Sequence, residues 1–340
     1  MKILFITNSR EDYLPDSLFM GLRDLFGADC IDYPKKDILY KNCPDSLIKR
    51  VRGNAFTLYG LLDDLPVDRS SIINRLKQDE FDLVIFSSIW RQFRLLKQWF
   101  PLLRSDKTIF CDGEDRNEVF PFLGFWWRSF SRCFVPQVHH KSLYYKREWT
   151  FNSQFNHWHR ILPDGLRKIL PAHHNLRKIS FGIPDKKIRS DLPKKKKDFA
   201  RHCVDVEVAN ALPACESSYV FRNEADYYSD LQASRFAITT KRAGWDCLRH
   251  YEIAANGCIP CFRDLQKKPQ TCAPHHLKHS VNCIEYNSFE QLMQVINSLS
   301  TEDELNIRKG ALKWAKQHSC SQVAQELIDS YGANLRKKIL

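Results

Sequence analysis

The chain contains no apolar run near the ~18 residues that a membrane-crossing helix needs, so a membrane-spanning protein is not expected. Its opening, MKILFITNS, lacks the long apolar region and small-residue cleavage site of a secretory leader. Lys2–Thr7 instead reads as the first strand of a sheet. The strand–helix–strand that follows carries no G-x-G-x-x-G turn, which argues against a hydride-transfer enzyme. Only one C-x2-C occurs, Cys258-x-x-Cys261, and no second one follows it before or after Cys272 and Cys283, so a zinc ribbon is not expected. The pairs His139-His140, His157-x-His159 and His173-His174 have no carboxylate at a coherent spacing and read as singly bonded or solvated histidines. No internal repeat or low-complexity segment interrupts the chain.

What is present describes a soluble globular protein. With 340 residues, 43% hydrophobic and 27% charged, there is enough chain for two domains, each with its own core. The 12 cysteines lie singly in apolar segments and read as reduced core thiols, which fits a cytoplasmic location. The formal charge of +12 is dispersed apart from Lys194–Lys197 beside Pro193, which reads as a solvated loop. Such a charge suits a phosphorylated ligand or peripheral contact with an anionic membrane face. It also keeps open a nucleic-acid-binding protein whose affinity would fall steeply with salt, although no basic stripe favours nucleic acid.

Taken in order, Cys30–Tyr33, Phe81–Ser88 and Thr108–Cys111 read as strands, and Ser17–Phe26, Ser70–Gln78 and Arg91–Phe100 as helices. This alternation is that of a parallel α/β sheet. In such sheets the loops at the carboxyl ends of strands line the ligand crevice, which makes Asp12, Asp112 and Glu114 candidates for a site. The segment 119–172 is rich in aromatics that could stack on a sugar ring or simply anchor a core, and its Lys146-Arg147-Glu148 could point into a cleft. Lys178–Ile183 resembles a strand entering a second domain, and Lys-rich 193–198 an exposed loop. Tyr219–Phe221 is a compact strand candidate and Glu224–Ser234 a helix. Asn282–Tyr286 is a further strand, followed by helices over Phe289–Leu299, Glu302–His318 and Gln322–Leu335.

The chain is organised around 236–263, which reads strand, loop, helix, strand. Phe236–Thr240 is the first strand, and Lys241-Arg242-Ala243-Gly244 a basic turn whose glycine allows close backbone approach or a positive φ. Asp246 stands at the N-cap position. Cys247, Leu248, Tyr251, Ala254 and Ala255 form an apolar stripe, while Arg249, Glu252 and Asn256 share a polar face. Gly257 ends the helix before the buried strand Cys258–Phe262. Two cations beside a helix N-terminus suit a diphosphate.

The string Arg249-x-x-Glu252-x4-Gly257-Cys258-Ile259-Pro260 resembles the nucleotide-sugar motif of exostosin-like glycosyltransferases, and the surrounding segment resembles spore-maturation glycosyltransferase-like proteins. About 30 residues carry this close likeness. The resemblance implies an α/β protein of two Rossmann-like domains facing a cleft, the GT-B fold. Residues 1–172 would form an acceptor-side domain, 173–318 a nucleotide-sugar domain, and 319–340 a helix packing back on the first. It implies transfer of a sugar from a nucleoside diphosphate, UDP-sugar first and GDP-sugar second, to a glycan or glycolipid acceptor. Glu252 would contact the donor ribose; Lys241, Arg242, Gly244, Trp245 and Arg249 would complete the donor site, with Trp245 or Tyr286 over the base. Asp112, Glu114 or Asp12 would serve as base in an inverting reaction and would position the acceptor in a retaining one. No Asp-x-Asp pair is present, Asp12, Asp16, Asp112 and Asp115 being wrongly spaced, so no metal site and no obligatory cofactor are expected. A GT-B protein that binds nucleotide without catalysis is the remaining alternative.

Overall fold

The computed structural model describes residues 1–120, 142–154, 162–167, 169 and 175–339. The histidine pairs at 139–140, 157–159 and 173–174, and most of the aromatic stretch, lie outside the described residues.

Among the described residues ten strands form two parallel sheets. The first has the order β2-β1-β3-β4-β5-β6, built from β1 (Ile3–Ile6), β2 (Cys30–Tyr33), β3 (Leu83–Phe86), β4 (Thr108–Asp112), β5 (Leu143–Lys146) and β6 (Leu176–Lys178). The second has the order β10-β9-β8-β7, from β7 (Lys197–Phe199), β8 (Ser234–Thr239), β9 (Ile259–Arg263) and β10 (Ile284–Tyr286). Strands such as Ile3-Leu4-Phe5-Ile6 are apolar at every position because both faces of a parallel sheet are covered. Ile3 and Phe5 pack on helix α1 (Tyr13–Phe26), while Leu4 and Ile6 meet Trp90, Leu96 and Trp99 of α2 (Ile89–Trp99) on the other face. In the second sheet Phe236, Ile238, Ile259 and Cys261 share a core with helix α5 (Phe289–Ser298), which lies after α3 (Glu224–Ala233) and α4 (Leu248–Ala255) in the chain.

Four readings of the sequence need correction. Leu143–Lys146, within the aromatic-rich segment 119–172, is a strand lying between β4 and β6. Leu176–Lys178 pairs with it, so the first domain runs past residue 172 and the expected strand over 178–183 is an extended linker. Lys197–Phe199 is an edge strand rather than loop; its lysine and aspartate hide it, as charges on edge strands do. Tyr219–Phe221 is not a strand, and its rings pack around Tyr227 instead.

Helix α6 (Thr301–Gln317) opens with a capping box between Ser300 and Asp303 and leads into α7 (Cys320–Ile339). The linker joins the start of α7 through Cys320 N–H to Ile183 O at 2.8 Å. Helix α7 then packs along α1, so the last helix rests on the first domain. The contact is close enough that a Cβ on Gly21 would lie 1.9 Å from the Cys320 carbonyl oxygen. Alanine would gain up to ~1 kcal/mol of helix propensity, but the backbone it meets cannot swing aside. Gly21→Ala is therefore expected to lose about 1–3 kcal/mol of stability, read from the urea midpoint. An unchanged midpoint would place α7 elsewhere.

Candidate functional site

The loops after the strands of both sheets converge. From the second domain comes 240–247, between β8 and α4. Gly244 sits where the domains touch: a Cβ there would lie 2.5 Å from Glu148 Oε1 and 2.7 Å from Asp115 Oδ1. Glycine is required by this approach, not by its φ. Glu148 Oε1 accepts hydrogen bonds from the amides of Trp245 (2.9 Å) and Asp246 (3.1 Å) and from Arg147 Nη1 (2.8 Å). The buried Arg147 also donates to the carbonyls of Gly113 (2.9 Å) and Asp246 (3.1 Å), pairs with Asp115, and lies 4.6 Å over the Phe181 ring. Arg147 and Glu148 are thus buried at the contact between the two halves and bind them together, while Lys146 pairs with Asp112.

Asp246 does not cap α4. Cys247 stands at that position without a side-chain bond, and Asp246 turns back to accept from Phe181 N–H (3.0 Å) and Tyr251 O–H (2.7 Å). Burial pushes its carboxyl up to about 6 against the pull of Arg147. His250 is a strut: Nε2–H donates to Trp245 O (2.9 Å), which leaves Nδ1 to accept from Thr239 Oγ1 (2.7 Å). Burial holds it down to about 3, so it stays neutral.

Along α4, Arg249 donates from Nη2 to His202 Nε2 (3.0 Å), whose Nδ1–H meets Ser218 O (3.0 Å); Arg249 Nε has no partner among the described residues. Burial and the Arg249 cation hold His202 down to about 4, which matches its accepting role. Glu252 is 8% exposed rather than on a solvated face. Its carboxylate accepts from Tyr227 O–H (2.9 Å) and from the Thr57 hydroxyl, and burial raises its pKa. Lys241 and Arg242 are exposed at the mouth; the Lys241 ammonium lies 5.1 Å over the Trp245 ring, and Arg242 has no ion pair among the described residues. Tyr286 is fully buried and bonded to Asp205 (2.8 Å), so it cannot cover a base.

On the first-domain side, a pocket of ≈ 260 Å³ is lined by Asp12, Arg91, Glu114, Asp115, Arg147 and Phe181 among others. Asp12, in the loop after β1, accepts from Ser88 Oγ (3.0 Å) and lies 3.5 Å from Arg91. Burial pushes it up to about 6, with Arg91 opposing. Glu114 opens into the same pocket. Asp112 does not: it is 0% exposed, with Tyr144 O–H (2.6 Å), Lys146 Nζ (3.0 Å) and Glu114 N–H (3.1 Å) on its oxygens. Its expected place as a base is corrected, because no acceptor can reach it. Sequence reasoning missed Thr57, Tyr227 and His202, all far from the motif in the chain. Among the described residues no group of His, Cys, Asp and Glu is arranged to hold a metal ion, and no helix is long and apolar enough to cross a membrane.

No protein-family model and no curated protein matches the chain. Among solved structures it is similar to Anabaena Alr3699/HepE in complex with UDP, at TM-score 0.55 and 11% identity over 98% of this chain and 100% of that one. A glycosyltransferase from Rickettsia africae gives 0.53 at 11% identity over 97% of each chain. An alpha-glucosyltransferase in complex with UDP and a DNA 13-mer gives 0.51 at 10% identity, covering 97% and 99%. At these identities the likeness establishes the fold: two Rossmann-like α/β domains facing a cleft, the GT-B arrangement.

Proposed function

We propose that the chain is a glycosyltransferase that moves a sugar from a nucleoside diphosphate to a hydroxyl of a glycan or glycolipid. One observation carries this reading. The pocket holding Asp12 and the loop leading to Glu252 share a wall, since Asp115 and Arg147 line the first and close on Gly244 of the second. An acceptor hydroxyl and a donor would meet there. The motif resemblance supports ribose contact by Glu252, and neighbours of the same fold solved with UDP support a UDP-sugar as first choice and a GDP-sugar as second.

In the reaction the acceptor oxygen attacks the anomeric carbon while its proton passes to Asp12. The bond from that carbon to the phosphate oxygen breaks, and the nucleoside diphosphate leaves with the electron pair. Lys241 and Arg242 lie exposed beside the loop and would meet the charge developing on the leaving group, in place of a divalent ion. Glu114 would hold the acceptor. A cytoplasmic protein touching a membrane face fits an acceptor carried on lipid.

Arg242→Ala is expected to weaken UDP binding by one to two decades, because a charge-assisted hydrogen bond is worth ~1.5–3 kcal/mol. Uridine binding should stay nearly unchanged. Parallel calorimetric titrations decide it: equal weakening of both ligands would remove Arg242 from the phosphate site, and no binding of nucleotide at all would sink the donor reading.

A further inference from the structure

The pocket around Glu252 is already occupied from within. Thr57, from the first domain, is 2% exposed, and its hydroxyl donates to Glu252 Oε1 while meeting Tyr228 O–H at 2.9 Å. Its amide donates to Glu224 Oε1 (2.6 Å), which Lys187 holds in place. Next to it the half-buried Phe56 ring stacks on Tyr227, with centroids 6.3 Å apart and planes 21° apart, and leans on Tyr219 at 6.1 Å. Tyr219 is itself 42% exposed. A hydroxyl on a buried carboxylate beside a flat ring on an aromatic face is the pattern of a nucleoside, in the order ribose and base.

The segment is held uneasily. Ala55 (φ 58°) and Thr57 (φ 73°) lie in the left-handed region between Gly53 and Gly60, which lie there too. A β-branched residue at such a φ carries backbone strain that only its contacts sustain. Thr57 covers one oxygen of Glu252 and Tyr227 the other, and the carboxylate is buried beneath them, so a ribose hydroxyl reaches it only when a covering group withdraws.

We propose that Phe56 and Thr57 are an internal competitor of the nucleotide: the ring covers the face of Tyr219 and Tyr227 on which the base would stack, and the hydroxyl takes the Glu252 oxygen that a ribose hydroxyl would take. This rests on the donor reading above. Release of strained 53–57 accompanies binding, and the fraction of molecules with the segment withdrawn sets the apparent affinity. The aromatic face of Tyr219 and Tyr227 becomes the base subsite.

The test titrates the full chain with UDP and with GDP, in wild type and in Thr57→Gly. Glycine removes the hydroxyl yet accepts the left-handed φ, so the fold is preserved. The expected result is binding tightened about tenfold in the variant, as the competent fraction rises. Amide exchange across 53–58 in wild type should speed up on adding nucleotide, opposite to the protection a ligand gives a wall of its own site. Unchanged or weaker binding in Thr57→Gly, or slower exchange with ligand, overturns the competitor while leaving the donor reading intact. Failure of both nucleotides to bind to both proteins overturns the donor reading, and the competitor with it.

Discussion

Asp12→Asn is expected to lower kcat by ~10²–10⁴ while leaving the Kd for UDP nearly unchanged. Asp12 lines the first-domain pocket, and among the described residues its partners lie apart from Glu252, so in the proposed reaction its loss touches proton removal rather than donor affinity. Burial sets its carboxyl at about 6, close to the pH at which a base is most useful. The base works only when ionised, so kcat/KM should fall as pH drops through about 6. Stability runs the other way. The folded value lies above the ordinary 3.8, so the fold disfavours the ionised form and loses stability as pH rises from about 4 towards about 6. Asparagine carries no charge, and the variant should melt no lower than wild type at neutral pH. Turnover at the wild-type rate would transfer the role to Glu114; a lower melting temperature would mean that the substitution damages the fold instead.

Arg147→Met should cost about 3–5 kcal/mol, the range for leaving a buried charge without its partner. Three carboxylates, Asp115, Glu148 and Asp246, lie around this guanidinium, and it also holds two carbonyls, that of Gly113 in its own domain and that of Asp246 across the boundary. The stems of arginine and methionine are similar in shape, so the loss is mostly of charge and hydrogen bonds. Asp246 titrates at about 6 with Arg147 present, and without that attraction it titrates higher. Once protonated it no longer needs a cation. The stability gap between variant and wild type should therefore narrow as pH falls from the variant's higher value to about 6 and stay level below that, and urea titrations at pH 5 and 8 measure it. A gap independent of pH would show packing, not charge, to be what Arg147 supplies.

The parts of the fold legible in the sequence are those where one element states its own rule. β1 and β3 are apolar throughout because helices cover both faces, and 236–263 announces itself because strand, basic turn, helix and strand are contiguous. What stayed hidden depends on pairing across the chain. Whether Asp112 faces the cleft or the sheet is fixed by register: Phe110 opposes Tyr144 and Asp112 opposes Lys146 on one face of β4 and β5, so lysine and tyrosine close over the carboxylate. β4 was legible but its partner β5 was not, LYYK having a polar end and no turn signal beside it. Glu252 was singled out, but its burial was not foreseen, because the covering groups Thr57 and Tyr227 come from a loop of the first domain and from α3. Of the two reasons the sequence offers for Gly244, the structure shows close approach, by packing between domains, which no local pattern contains.

The central claim is that the stretch from Lys241 to Glu252 receives the donor, and a crystal structure with UDP bound tests it most directly. The account predicts ribose hydroxyls on Glu252, the diphosphate beside Lys241 and Arg242 at the loop before α4, and Thr57 withdrawn from the carboxylate. UDP bound elsewhere, or bound with its ribose away from Glu252 while Thr57 keeps its place, would contradict it.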